Sequence, residues 1–127
     1  MTIPNSVKSI GYDAFGGCSG LTEVHISDLA AWCAIDFEYD YASVGTANPL
    51  ENAHHLFVNG KEVKYLVIPN SVTDIGSAAF YGCSGLISVT IPNSVTNISS
   101  AAFYGCSGLT LVNIPNSVTD IGESAFS

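Results

Sequence analysis

Residues 91–113 read IPNSVTNISSAAFYGCSGLTLVN, and most of the chain is a variation on that stretch. Residues 68–90 read IPNSVTDIGSAAFYGCSGLISVT, and residues 3–25 read IPNSVKSIGYDAFGGCSGLTEVH. The pattern opens once more at Ile114 and reaches the last residue, Ser127, as IPNSVTDIGESAFS. Self-similarity at a fixed period, here 23 residues, is the mark of a solenoid, in which each coil packs only against its neighbours. Any motif that recurs in every coil is therefore read first as coil architecture.

Within a coil, Leu86, Val89 and Ile91 return as Leu109, Val112 and Ile114, and as Leu21, Val24 and Ile26. The spacing L-x-x-V-x-I, with polar residues such as Glu23 and His25 between, predicts a short strand with one face inward. Pro4, Pro69, Pro92 and Pro115 follow it, and each removes a backbone donor where the chain must turn. Beyond the proline, Val72 and Ile75 mark a second extended piece, and the AAFYGC segment predicts about one helical turn ending at Gly82 or Gly105. Gly20, Gly85 and Gly108 then reopen the chain for the next strand.

From Ile26 to Ile68 the spacing is 42 residues, 19 more than the period. The expected organisation is a single solenoid over 1–127, with coils at 3–25, 68–90 and 91–113, a long variant coil at 26–67 and a partial coil at 114–127. In the long coil Asp28 is placed to cap a helix through Leu29, Ala30, Ala31, Trp32 and Cys33. Asn48, Pro49 and Glu51 read as a second helix start. Leu56 to Val63 around Asn59-Gly60 is a hairpin signal, because Asn-Gly suits the two positive-φ positions of a type I′ turn. Its second arm is expected to run on through Lys64 to Ile68 and restore the register.

Composition limits function. The chain is 47% hydrophobic and 11% charged, enough apolar content for a continuous core. Three Lys/Arg against eleven acids leave a net charge of -8, which provides no electrostatic grip on phosphates and argues against nucleic acid and anionic membranes as partners. No apolar run is long enough to span a bilayer, and direct membrane insertion is not expected. Met1 stands directly before a mid-repeat IPNSV without the regions of a secretory signal, as expected of a piece of something longer. Open repeats at both ends predict end-to-end self-association.

The motif L-x-x-V-x-I-P-x-S-V-x-x-I-x-x-x-A-F-x-x-C resembles the 23-residue leucine-rich repeats of BspA-like bacterial surface proteins. The likeness covers essentially the whole chain, and DLAAWC (28–33), NPL (48–50) and LFVNG (56–60) resemble a variant coil of that family. The resemblance implies an α/β leucine-rich repeat solenoid, with short parallel strands on a concave face and short helical turns or extended segments opposite. It further implies an extracellular or cell-surface setting and a non-enzymatic role in binding host or neighbouring-cell proteins, with no cofactor. The alternative is a structural spacer that holds a distal domain away from the cell.

Four features invite chemistry. Cys18, Cys83 and Cys106 share one repeat position; equivalent positions sit about 5 Å apart and point the same way, so a buried ladder of free thiols is expected rather than disulfides. Gly17-Cys18-Ser19-Gly20 resembles a nucleophile loop, but Cys-Ser-Gly occurs in three coils, whereas a catalytic constellation is singular. Asp36, Glu38 and Asp40 share one face of an extended segment and begin like a calcium loop, which then fails where Tyr41 replaces Gly and Ala47 replaces Glu; a solvated acidic edge is expected. His54 and His55 are adjacent and so point apart, unsuited to sharing a metal.

The outward strand positions are the better candidates. One row reads His25, Val67, Thr90 and Asn113, and another reads Glu23, Tyr65, Ser88 and Leu111, with Ile87 beside them. Tyr65, Val67, Ile87 and Leu111 are apolar where such a face meets solvent, so these four, flanked by Glu23 and His25, form the expected protein-binding surface.

Overall fold

The structure, a computed structural model, describes residues 1–11, 14–15, 17–38 and 47–127. In chain order its elements are β1 (Ser9–Ile10), β2 (Val24–Ile26), α1 (Leu29–Cys33), β3 (Asp36–Phe37), α2 (Leu50–Ala53), β4 (Leu56–Val58) and β5 (Lys61–Glu62). There follow β6 (Tyr65–Val67), β7 (Asp74–Ile75), β8 (Ser88–Thr90), β9 (Asn97–Ile98), β10 (Leu111–Asn113) and β11 (Asp120–Ile121). They wind as a parallel solenoid. β6, β8 and β10 pair one period apart, Tyr65 opposite Ser88 and Ser88 opposite Leu111. β7, β9 and β11 do the same on a second side.

The repeat turns each apolar position into a column through the core. Leu66, Val89, Ile75, Ile98, Ala79 and Ala102 are all buried. Phe80, Phe103 and Phe126 stack with ring centroids 5.2 Å apart at each step, and Tyr81 stacks on Tyr104 at 4.9 Å. Identical rings one coil apart lie nearly parallel and offset, with 5–18° between planes, and each such pair adds about 0.5–1.5 kcal/mol beyond the area it buries. At the repeat prolines the turn forms as expected: Val7, Val72, Val95 and Val118 donate to the carbonyls of Pro4, Pro69, Pro92 and Pro115.

The AAFYGC segment departs from the expected helical turn. Ala78, Phe80 and Gly82 donate outward to Ser100, Ala102 and Tyr104 of the next coil, while Ala79, Tyr81 and Cys83 donate three residues back within their own. The neighbouring backbone competes for half of the amides, so no run of helical bonds can propagate. Ala78 and Ala101 take the left-handed region (φ 58° and 56°), as do Gly82 and Gly105 (φ 74° each). For alanine this costs about 1–2 kcal/mol, offset by the intercoil bonds that the geometry permits.

The irregular stretch solves a polar problem. In the regular stack Ala102 O accepts from Phe80 N of the preceding coil, but Ala79 O, its counterpart one coil earlier, faces α1 and α2. Two side chains take the missing role: Trp32 Nε1 donates to Ala79 O at 2.8 Å, and Asn48 Nδ2 donates to Ala78 O and Ala79 O at 2.7 and 2.9 Å. Asn48 Oδ1 in turn accepts from Leu50 N at 2.8 Å, starting α2 where the sequence placed a helix start. Asp28 Oδ1 caps α1 through Ala30 N and Ala31 N.

β2 pairs in parallel with β4, Val24 opposite Leu56, so the stretch carries a further strand of the row. The expected hairpin is present: β4 and β5 are antiparallel, with Asn59 and Gly60 at φ 50° and 83°. Its second arm does not run through to Ile68. β5 ends at Glu62, still paired with β4, and β6 begins at Tyr65 in a separate sheet, parallel to β8, so the arm is broken at Val63-Lys64.

Candidate functional site

The outward positions of β6, β8 and β10 form the surface. Because side chains alternate across a strand, burying Leu66, Val89 and half of Val112 leaves Tyr65, Ser88 and Leu111 in one outward row, and Val67, Thr90 and Asn113 in another. Tyr65, Val67 and Leu111 are 70%, 63% and 65% exposed, unusually open for large apolar groups. Ile87 is half-buried at the edge of the rows, its carbonyl accepting from both the amide and the hydroxyl of Thr110.

Glu23 and His25 do not join those rows. The structure pairs His25 with Phe57 on β4, their rings stacked with centroids 4.7 Å apart, and Glu23 Oε1 holds His25 Nε2 at 2.9 Å. This corrects the expected alignment of His25 with Val67: β4 takes the place beside β2, and the hairpin separates the two sheets. Phe57 was missed because Ala53-x-x-Leu56-x-Val58 is a degenerate version of the strand motif, which was the available signal.

Between the hairpin and β6 lies an open hollow of ≈ 780 Å³, lined by Leu29, Val58, Val63, Tyr65, Val67 and the hairpin residues 61, 62 and 64. Lys61 and Lys64 are exposed there, two of the three basic residues of the chain. Glu62 is turned instead toward His55 Nδ1, at 2.8 Å.

Cys33, Cys83 and Cys106 are buried free thiols, and burial pushes each up to about 12, which keeps them neutral and unfit as nucleophiles. Cys18 departs from the expected buried ladder and is exposed. Asp36 and Glu38 are both exposed beside buried Phe37, as an acidic edge requires; Asp40 and Tyr41 lie outside the described residues. His54 and His55 part as expected, the first to Gly82 O and the second to Glu62.

Comparison with known proteins agrees with this geometry. The family model of the BspA type leucine rich repeat region matches residues 1–33 and 53–127, in six copies. A leucine-rich repeat protein from Eubacterium ventriosum superposes with a TM-score of 0.53 at 26% identity, over 95% of this chain and 31% of that one. A leucine rich cell surface protein from Faecalibacterium prausnitzii does so with a TM-score of 0.52 at 27% identity, over 99% and 35%. The chain thus spans about a third of the length of either structure. A search of curated proteins finds no match.

Proposed function

The chain belongs to the BspA-type leucine-rich repeat family, a family of protein-interaction repeats, and from that premise we propose that it binds an extracellular protein of a host or neighbouring cell. The contact surface is the outward face of β6, β8 and β10. The observation that carries this reading is the exposure of Tyr65, Val67 and Leu111 on a regular parallel sheet, where no packing demand explains large apolar side chains. The reading is non-catalytic, with buried neutral thiols as coil filling. A cell-surface setting is supported by the description of the Faecalibacterium neighbour.

Replacing Tyr65 and Leu111 by Glu tests the reading. Both side chains are exposed, so folding should be retained, while binding to immobilised extracellular matrix proteins measured by surface plasmon resonance should fall at least tenfold, about 1.4 kcal/mol. Unchanged binding removes this face as the contact surface. End-to-end association with a second copy belongs to the same reading: Ile114, Ile121 and Phe126 are exposed at one end of the stack, beside a hollow of ≈ 280 Å³. Light scattering should show a mass that grows with concentration, and a monomer at every concentration would contradict it.

A further inference from the structure

Edge strands in a solenoid belong at its two ends, yet this one has an edge in the middle. β6 is the last strand of the β10-β8-β6 sheet, and among the described residues no strand pairs with its other side. Lys64 O accepts from Ile87 N, and Ile68 N donates to Thr90 O, so alternate residues of β6 spend their backbone groups on β8. Tyr65 and Val67 therefore turn theirs the opposite way, on the side lined with the hairpin around the ≈ 780 Å³ hollow. Apolar floor residues Leu29, Val58 and Val63 offer purchase for side chains. Lys61 and Lys64 make no ion pair among the described residues, and with Glu62, the acid of the lining, held by His55, they leave the hollow with an excess of positive charge in a protein that carries -8 overall.

We propose that this hollow binds an extended acidic peptide segment of a partner protein, its backbone adding to the free edge of β6 and its carboxylates meeting Lys61 and Lys64. Main-chain pairing supplies affinity in such strand addition, and alternate side chains supply selectivity. One set of peptide residues faces the apolar floor and the other faces the lysines. A basic segment is repelled by the lysines, and in a second copy of this chain the acidic stretch at Asp36–Phe37 is already paired with β1, with Phe37 buried. The inference rests on the reading of the chain as a protein-binding module, and it locates a second contact beside the one made by Leu111.

The test is fluorescence anisotropy with a labelled hexapeptide alternating Asp and Val, against the same peptide with Lys for Asp and a third peptide N-methylated at alternate amides. The acidic peptide should bind, more tightly as salt is lowered. Lys61→Glu/Lys64→Glu should weaken it about tenfold, the loss of two exposed ion pairs with added repulsion, with an unchanged circular dichroism spectrum. The basic and N-methylated peptides should not bind. Equal binding of the basic peptide, indifference to N-methylation or to the lysine reversals, or no binding of the acidic peptide overturns the proposal. Asp120→Asn, on β11 and outside both proposed contacts, should leave peptide binding intact, and matrix-protein binding is read separately with Tyr65→Glu/Leu111→Glu, so failure of the broader sheet reading is distinguishable from failure of this one.

Discussion

Replacing Asn48 by Ala removes the junction between the irregular stretch and the regular coils, and the structure sets the size of the loss. Leu50 N loses its acceptor and becomes a buried orphan donor, which costs about 1–3 kcal/mol. Ala78 O and Ala79 O each lose one donor but keep another, Tyr81 N and Trp32 Nε1, so each contributes about 0.5–1 kcal/mol. The sum is about 3 kcal/mol, a large part of the ~5–15 kcal/mol typical of a domain. Trp32, the single tryptophan, is buried beside the site and reports unfolding by fluorescence. With a slope near ~2 kcal/mol/M, the urea midpoint should fall by about 1.5 M. A second arm uses Trp32→Phe, followed by circular dichroism. In the double variant Ala79 O loses both side-chain donors, so the combined loss should exceed the sum of the single losses by about 1 kcal/mol. A loss below about 0.5 kcal/mol for Asn48→Ala, or strict additivity, would refute the reasoning that these side chains stand in for a missing coil backbone.

Thiol reactivity should divide sharply. At pH 8 only Cys18 of the four cysteines should react quickly with a disulfide reagent, because Cys33, Cys83 and Cys106 are buried with their thiols pushed up to about 12. The same shifts fix a pH dependence. The folded thiols ionise later than unfolded ones near 9.0, so their contribution is complete below pH 9 and is lost as pH rises toward about 12. The slope should approach ~1.4 kcal/mol per pH unit for each thiol, and urea midpoints that stay flat from pH 9 to 11 would contradict it. Gly108→Ala should destabilise by about 1–3 kcal/mol, since its Cβ would sit 2.5 Å from Ser84 O and 3.1 Å from Leu86 O of the preceding coil; thermal melting reads the loss, and an unchanged midpoint would refute the close approach.

Local signals in the sequence carried the parts of the fold that are locally determined. The period aligned Tyr65, Ser88 and Leu111, Asp28 marked a helix cap, and Asn59-Gly60 marked a hairpin, because each depends on residues near in the chain. What was illegible depends on the neighbouring coil. Nothing intrinsic to alanine announces the left-handed Ala78 and Ala101, which follow from amides claimed by the next coil. Asn48 was readable as a helix start, but its grip on Ala78 and Ala79 spans 30 and 31 residues. His25 was misplaced for a similar reason: the strand at Leu56–Val58 hides behind a weak motif, and only pairing shows Phe57 in between. The outward rows of β6, β8 and β10 were therefore visible as alternation, and the hollow beside them was not, since it depends on the hairpin sheet ending at Glu62 and a separate sheet starting at Tyr65.

Recognition on the outward face of the β6-β8-β10 sheet should slow amide exchange there and nowhere else. Hydrogen–deuterium exchange of the chain with and without a bound extracellular partner tests it most directly. Added protection is expected in segments 64–68, 87–91 and 110–114, with segments 97–105 unchanged. Protection confined to 97–105, with the strand segments unaltered, would contradict it.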